Sequence, residues 1–129
     1  MKEIVLDTNV LIRLLIKDVP SQFKKAQKVF EKIEKEEIKG LVSVLVINEA
    51  VWILENYYEL ERKAYIPLLL KLLLLKHLKI IEAKKSLIIK ALQTMEKQKF
   101  DFTDVYLFQI AKTKKIFSFD KDFQKMKKK

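Results

Sequence analysis

The sequence predicts an α/β fold built on a small parallel sheet, and three observations lead there. Short apolar runs at Ile4–Leu6, Leu41–Val44, Lys79–Glu82 and Ile116–Phe119 read as strands. Between them lie segments whose apolar residues recur at helical spacing, and strands alternating with helices imply parallel pairing through right-handed crossovers. Acids follow the first and last runs directly, at Asp7 and Asp120. In open α/β sheets that carboxyl edge is where ligands bind, so these acids are candidate functional groups.

Ile4-Val5-Leu6 reads as a strand buried on both faces. Thr8 or Asp7 can cap a helix from about Asn9 to Lys17, with Val10, Leu11, Leu14 and Leu15 inward. Pro20 and Ser21 open a longer helix in which Phe23, Ala26, Val29, Phe30 and Ile33 form the inner stripe. Gly40, the only glycine, ends this unit ahead of the second strand. A helix from about Val46 to Tyr58 places Glu49 in its first turn and Ala50, Ile53 and Leu54 in the core.

Leu60 to Leu78 is leucine-rich on more than one face, with Pro67 in the first turn or at a kink. A helix apolar nearly all round in so small a domain points to a dimer contact. After the third strand, Leu87 to Lys97 is helical, and Phe100-Asp101-Phe102-Thr103-Asp104 starts a further helix through Ala111. Asp122 to Lys129 reads as one helical turn and a basic tail.

A chain of 129 residues, 50% hydrophobic with one Gly and two Pro, fits a single folded domain. The absence of Cys removes disulfides and thiolate metal sites and fits a cytoplasmic location. No secretory signal is evident, and the run Ile66 to Leu75 is too short to span a bilayer. The net charge of +10 would draw RNA or DNA by a salt-sensitive route. A solvated lysine surface, as in high-temperature proteins, explains the same number equally well.

Against that positive field stand the acids: Asp7, Glu49, Asp101 with Asp104, and Asp120 with Asp122. In a parallel sheet these separated positions converge on one edge. Crowded carboxylates repel, and protonation or a bound cation relieves them. With no Cys and one His, an all-oxygen donor set suits Mg²⁺ or Mn²⁺. Any single acid at a helix start is more often a cap. It is the joint arrangement that points to function.

Four segments in order, Leu6-Asp7-Thr8-Asn9-Val10-Leu11, Ser43 to Leu54, Asp101-Phe102-Thr103-Asp104-Val105 and Ser118-Phe119-Asp120-Lys121-Asp122-Phe123, resemble the successive motifs of PIN domains, particularly VapC-type toxin ribonucleases. The resemblance covers nearly the whole chain. It implies a three-layer α/β/α fold with a four-stranded, or with one more edge strand five-stranded, parallel sheet of order 3-2-1-4. It also implies Mg²⁺- or Mn²⁺-dependent RNA hydrolysis, commonly by a homodimer neutralised by an antitoxin protein. Carried over residue by residue, Asp7, Glu49 and Asp104 match the metal-binding and catalytic acids, and the fourth falls on Asp120 or Asp122, with Asp120 preferred because it directly follows the strand. Asp101 matches an auxiliary acid. Thr8, Asn9 and Ser43 would hold the carboxylates in place. The chain ends soon after the fourth strand, so a fifth is expected to be missing.

Beside a free-standing RNA-processing nuclease in place of a toxin, two other readings compete. One is a PIN-like module that binds RNA or protein without cutting. The other is an aspartyl-phosphate α/β fold, but a phosphatase wants an acid where Asn9 stands, and a receiver leaves Glu49 and the Asp101/Asp104 pair unexplained. His77 reads as a surface or helix-end residue, Trp52 and the phenylalanines as core, and the tail lysines Lys125, Lys127, Lys128 and Lys129 as solvated charge.

Overall fold

The computed structural model describes residues 1–126. Its elements run β1 (Lys2–Val5), α1 (Thr8–Ile16), α2 (Pro20–Glu34), β2 (Ile38–Val42), α3 (Val44–Asn56), α4 (Arg62–Leu73), β3 (Leu78–Ile80), α5 (Lys85–Lys97), α6 (Phe102–Ala111) and α7 (Asp122–Lys125). The α/β class and the parallel pairing are as expected. The sheet is three-stranded, in the order β1-β2-β3. Ile4 stands opposite Gly40, and Gly40 opposite Leu78.

The expected fourth strand is not formed, nor is a fifth, among the described residues. Ile116–Phe119 has the aromatic and branched residues of a strand but no ladder partner, and Phe117 and Phe119 are 85% and 95% exposed. Ile116 and Ser118 instead line a hollow with Phe108 of α6 and Phe123 of α7, so this segment packs with the last helices rather than beside β1.

One face of the sheet is the core. Ile38, Val42, Leu78 and Ile80 point into it, and Leu6 continues it beyond β1. The other face carries Glu3 and Lys79, both exposed, and Val5, 68% exposed. β1 is therefore not buried on both faces: side chains alternate, and the apolar run Ile4-Val5-Leu6 sends its middle residue outward. Among the described residues that outer face is left largely open at β1 and β3, where a three-layer arrangement would cover it.

Gly40 lies inside β2 rather than at the end of α2. A Cβ there would stand 2.6 Å from Ile33 Cδ1, 3.0 Å from Leu78 Cδ1 and 3.1 Å from Leu6 Cδ1. The glycine is required by close approach, not by a turn. The turn from α2 is made by Glu36 at φ 63°.

Helix boundaries follow local chemistry. Asp7 caps α1 and Ser43 caps α3, while Pro20 opens α2 where an N–H would be unpaired anyway. Ala26, Phe30 and Ile33 of α2 are buried as their spacing predicts. α4 starts at Arg62, later than expected, yet Pro67 still lies past the first turn, inside the helix on its exposed side. Its Ile66, Leu69 and Leu73 fill the molecule's own core, and Leu68 and Leu74 are the leucines left exposed. Trp52, expected in the core, is 63% exposed. No helix among the described residues is long and apolar enough to cross a membrane.

Two polar clusters brace this body. Arg13 donates to Gln22, Asp18 and Tyr58, tying α1 to the start of α2 and the end of α3. His77 lies half-buried in the turn before β3, its Nε2 3.3 Å from the Glu36 carboxylate.

Candidate metal centre

Three strand ends lie side by side at the carboxyl edge of the sheet. The Leu6 amide donates to the Leu41 carbonyl at 2.9 Å, and the Ile81 amide to the Val42 carbonyl at 3.0 Å. Asp7, Ser43 and Glu82 follow these ends in turn. Asp7 is exposed, and its Oδ1 accepts the Val10 amide at 3.3 Å. Thr8 is buried and Asn9 exposed.

Ser43 accepts the Leu45 amide at 3.1 Å and donates its own hydroxyl to Glu82. Glu82 also accepts the Val44 amide at 3.0 Å, and the Ser43 hydroxyl, then this amide, hold its carboxyl below the usual range. Glu82 thus fixes the end of β3 to the start of α3. Sequence reading passed over it, although an acid directly after the third strand was the available signal. Because α3 begins at Val44, Glu49 lies beyond its first turn, exposed on the helix surface.

The acids that meet are Asp104, Asp120 and Asp122. Each offers one carboxylate oxygen, and these oxygens lie within 4.8 Å of one another. Asp7 and Glu49 are not members of this group. Asp104 sits half-buried in the first turn of α6. Desolvation, then the charges of Asp120, Asp101 and Asp122, push its carboxyl above the usual range.

Different scaffolds deliver the members. Before α6, Arg62 donates to the carbonyls of Met95, Gln98 and Phe100 at 3.1, 3.1 and 2.7 Å. Its Nε binds Glu55 at 2.9 Å, and the buried Tyr65 hydroxyl donates to the same carboxylate. Burial and Glu55 push the Tyr65 phenol up, keeping it a donor. Arg62 also approaches Asp101 at 3.7 Å. Two residues on, Thr103 Oγ1 donates to Asn48 Oδ1 at 3.1 Å, fastening the start of α6 to α3 beside Glu49. Asn48 falls within the Ser43 to Leu54 motif but was not among the candidate residues. A polar pair so distant in sequence has no local signature.

After α6 the chain returns through Ser118, whose Oγ accepts the Asp120 amide at 2.9 Å. Asp120 Oδ1 in turn accepts the Asp122 amide at 2.9 Å. This relay turns both acids toward Asp104. Lys114 lines the hollow beside Asp120.

The donor set fits a divalent cation. Three carboxylate oxygens within 4.8 Å of one another repel, burial and its neighbours' charges push the Asp104 carboxyl up, and a bound cation would relieve that crowding. All donors are oxygens, the ligand type of Mg²⁺ and Mn²⁺.

The PIN domain family model matches the chain over residues 4–129. Searches of characterised proteins and of solved structures returned no match.

Proposed function

Starting from the fact that the chain belongs to the PIN-domain family, whose members are generally nucleases, we propose that it is a divalent-metal-dependent endoribonuclease and the toxin of a toxin–antitoxin pair. The observation carrying the nuclease reading is the Asp104–Asp120–Asp122 group, held together against its own repulsion. Asp104, Asp120 and Asp122 would hold Mg²⁺ or Mn²⁺, with Asp7 and Glu49 completing the set. When bound, the ion supplies a water of lowered pKa and neutralises charge developing on a phosphodiester.

The chain's own residues do the rest. Arg62 fixes the turn that presents Asp101 and Asp104. Ser118 and the Asp120 carboxylate orient the two later acids. Lys114, beside Asp120, is placed to meet a phosphate oxygen. Asp101, exposed at the same helix start, extends the negative surface without belonging to the tight group. Both Asp120 and Asp122 are taken as ligands.

The toxin assignment rests on the resemblance of the four motifs to those of VapC-type ribonucleases. For the homodimer and the antitoxin, the exposed Leu45 and Trp52 on α3 are the surface that a partner would cover. The test is cleavage of single-stranded and structured RNA with Mg²⁺ or Mn²⁺. Activity should vanish with a chelator and in Asp104→Asn. Undiminished cleavage by that variant would falsify the site.

A further inference from the structure

A groove of about 370 Å³ lies between α5 and α6, outside the acid group. Its rim carries Lys90 and Lys97 of α5 and Lys112 at the end of α6, all exposed. Lys90 and Lys97 are two turns apart on one side of α5, about 10 Å along its axis. No acid lines the groove. Between the lysines stand amides, Gln93 and Gln109 among them. The Gln109 Oε1 is turned inward and buried with no hydrogen-bond partner among the described residues, a costly arrangement that swinging the amide out onto a ligand N–H would relieve.

The groove also adjoins the hollow beside the acid site. Phe108 lines both it and the hollow containing Asp120 and Lys114. An extended strand crossing Phe108 would therefore have one nucleotide at the acids and its neighbours in the groove.

We propose that this groove binds the nucleotides flanking the scissile bond in a single-stranded RNA, with Lys90, Lys97 and Lys112 on the phosphates and Gln109 on a base. The inference takes RNA as the ligand from the nuclease reading, but its evidence lies outside the acids. Phosphate contacts from lysines give affinity without sequence choice, and an aromatic edge with amides suits unpaired bases. A duplex would present its bases already paired, leaving the Gln109 acceptor without a donor.

The experiment is a binding titration of a fluorescently labelled single-stranded RNA of about ten nucleotides, done in chelator so that no cleavage occurs. Lys90→Glu/Lys97→Glu should weaken binding at least about tenfold and lower the salt slope by about two. Lys24→Glu/Lys28→Glu on α2 makes the same charge change away from the groove and should weaken it far less. Gln109→Leu should reduce affinity while leaving the salt slope unchanged. The inference is overturned if wild type does not bind the RNA, if the α5 pair binds as wild type does, or if both charge swaps lose affinity equally. An inactive protein that still shows the α5-specific loss would sink the nuclease reading and leave the groove standing.

Discussion

The two chain segments that bring acids to the candidate centre are built in opposite ways. The approach to α6 is clamped from outside, with the Arg62 guanidinium on three carbonyls and a Glu55–Tyr65 pair behind it. The return from α6 is shaped mainly from within, by the Ser118 and Asp120 side chains accepting amides two residues on. Between the two, Lys112 takes φ 55° and ψ −114°, a backbone region costly for a residue with a Cβ. One side of the site is thus fixed by tertiary packing and the other by local turns. Asp104 inherits the rigid side and lies half-buried there, whereas Asp120 on the other side is exposed.

Removing a carboxylate tests both sides at once and has the largest effect. Asp104→Asn and Asp120→Asn should each lower RNA cleavage by about 10²–10³-fold, read as single-turnover rates. Their stabilities should differ. Asp104 is raised in the fold, so its protonated form is favoured there. In chelator its contribution to stability is complete below the unfolded pKa and is lost as pH rises through the folded value. At neutral pH Asp104→Asn should therefore melt higher than wild type, and the gain should shrink toward acid pH. A lower melting temperature at neutral pH would mean that the repulsion is not significant.

Arg62→Ala breaks the clamped side alone. It strips a partly buried Glu55 of its partner and leaves carbonyls uncapped, and should cost about 2–3 kcal/mol in denaturant unfolding. Cleavage should fall with it, because Asp101 and Asp104 lose their support. Ser118→Ala breaks the other side and removes one exposed turn bond, a loss of under about 1 kcal/mol. Its mark should be weaker divalent-ion affinity by isothermal titration with stability almost unchanged. Equal stability losses in the two variants would erase the distinction between the two approaches.

The helices were legible because their signals are local. The inner stripe of α2, the cap at Asp7 and the proline at the start of α2 all act within a few residues. Trp52 was misplaced because its position on α3 beside buried Val51 and Ile47 looks like core until the partner surfaces are known. Ile116–Phe119 misled for the matching reason: strand propensity describes a residue's fit to a neighbouring strand, and no neighbour stands there. The acids were visible as residue types. Their division into a tight group with Asp104, and Asp7 and Glu49 apart from it, depends on how loops fold back, which no periodicity encodes.

The crowding at Gly40 has a kinetic meaning. Ile33, Leu6 and Leu78 come from separate elements and close on one backbone position, so this junction is a non-local contact whose chain-closure entropy must be met during folding. Gly40→Ala should destabilise the protein by about 1–3 kcal/mol through overpacking, against the usual benefit of replacing glycine. Where that loss appears in stopped-flow refolding is informative. A slowed folding limb would place the three-way junction in the transition state, and a steepened escape from the native state would place it after the barrier. The chain's only glycine is thus also a clock for the order in which its sheet closes.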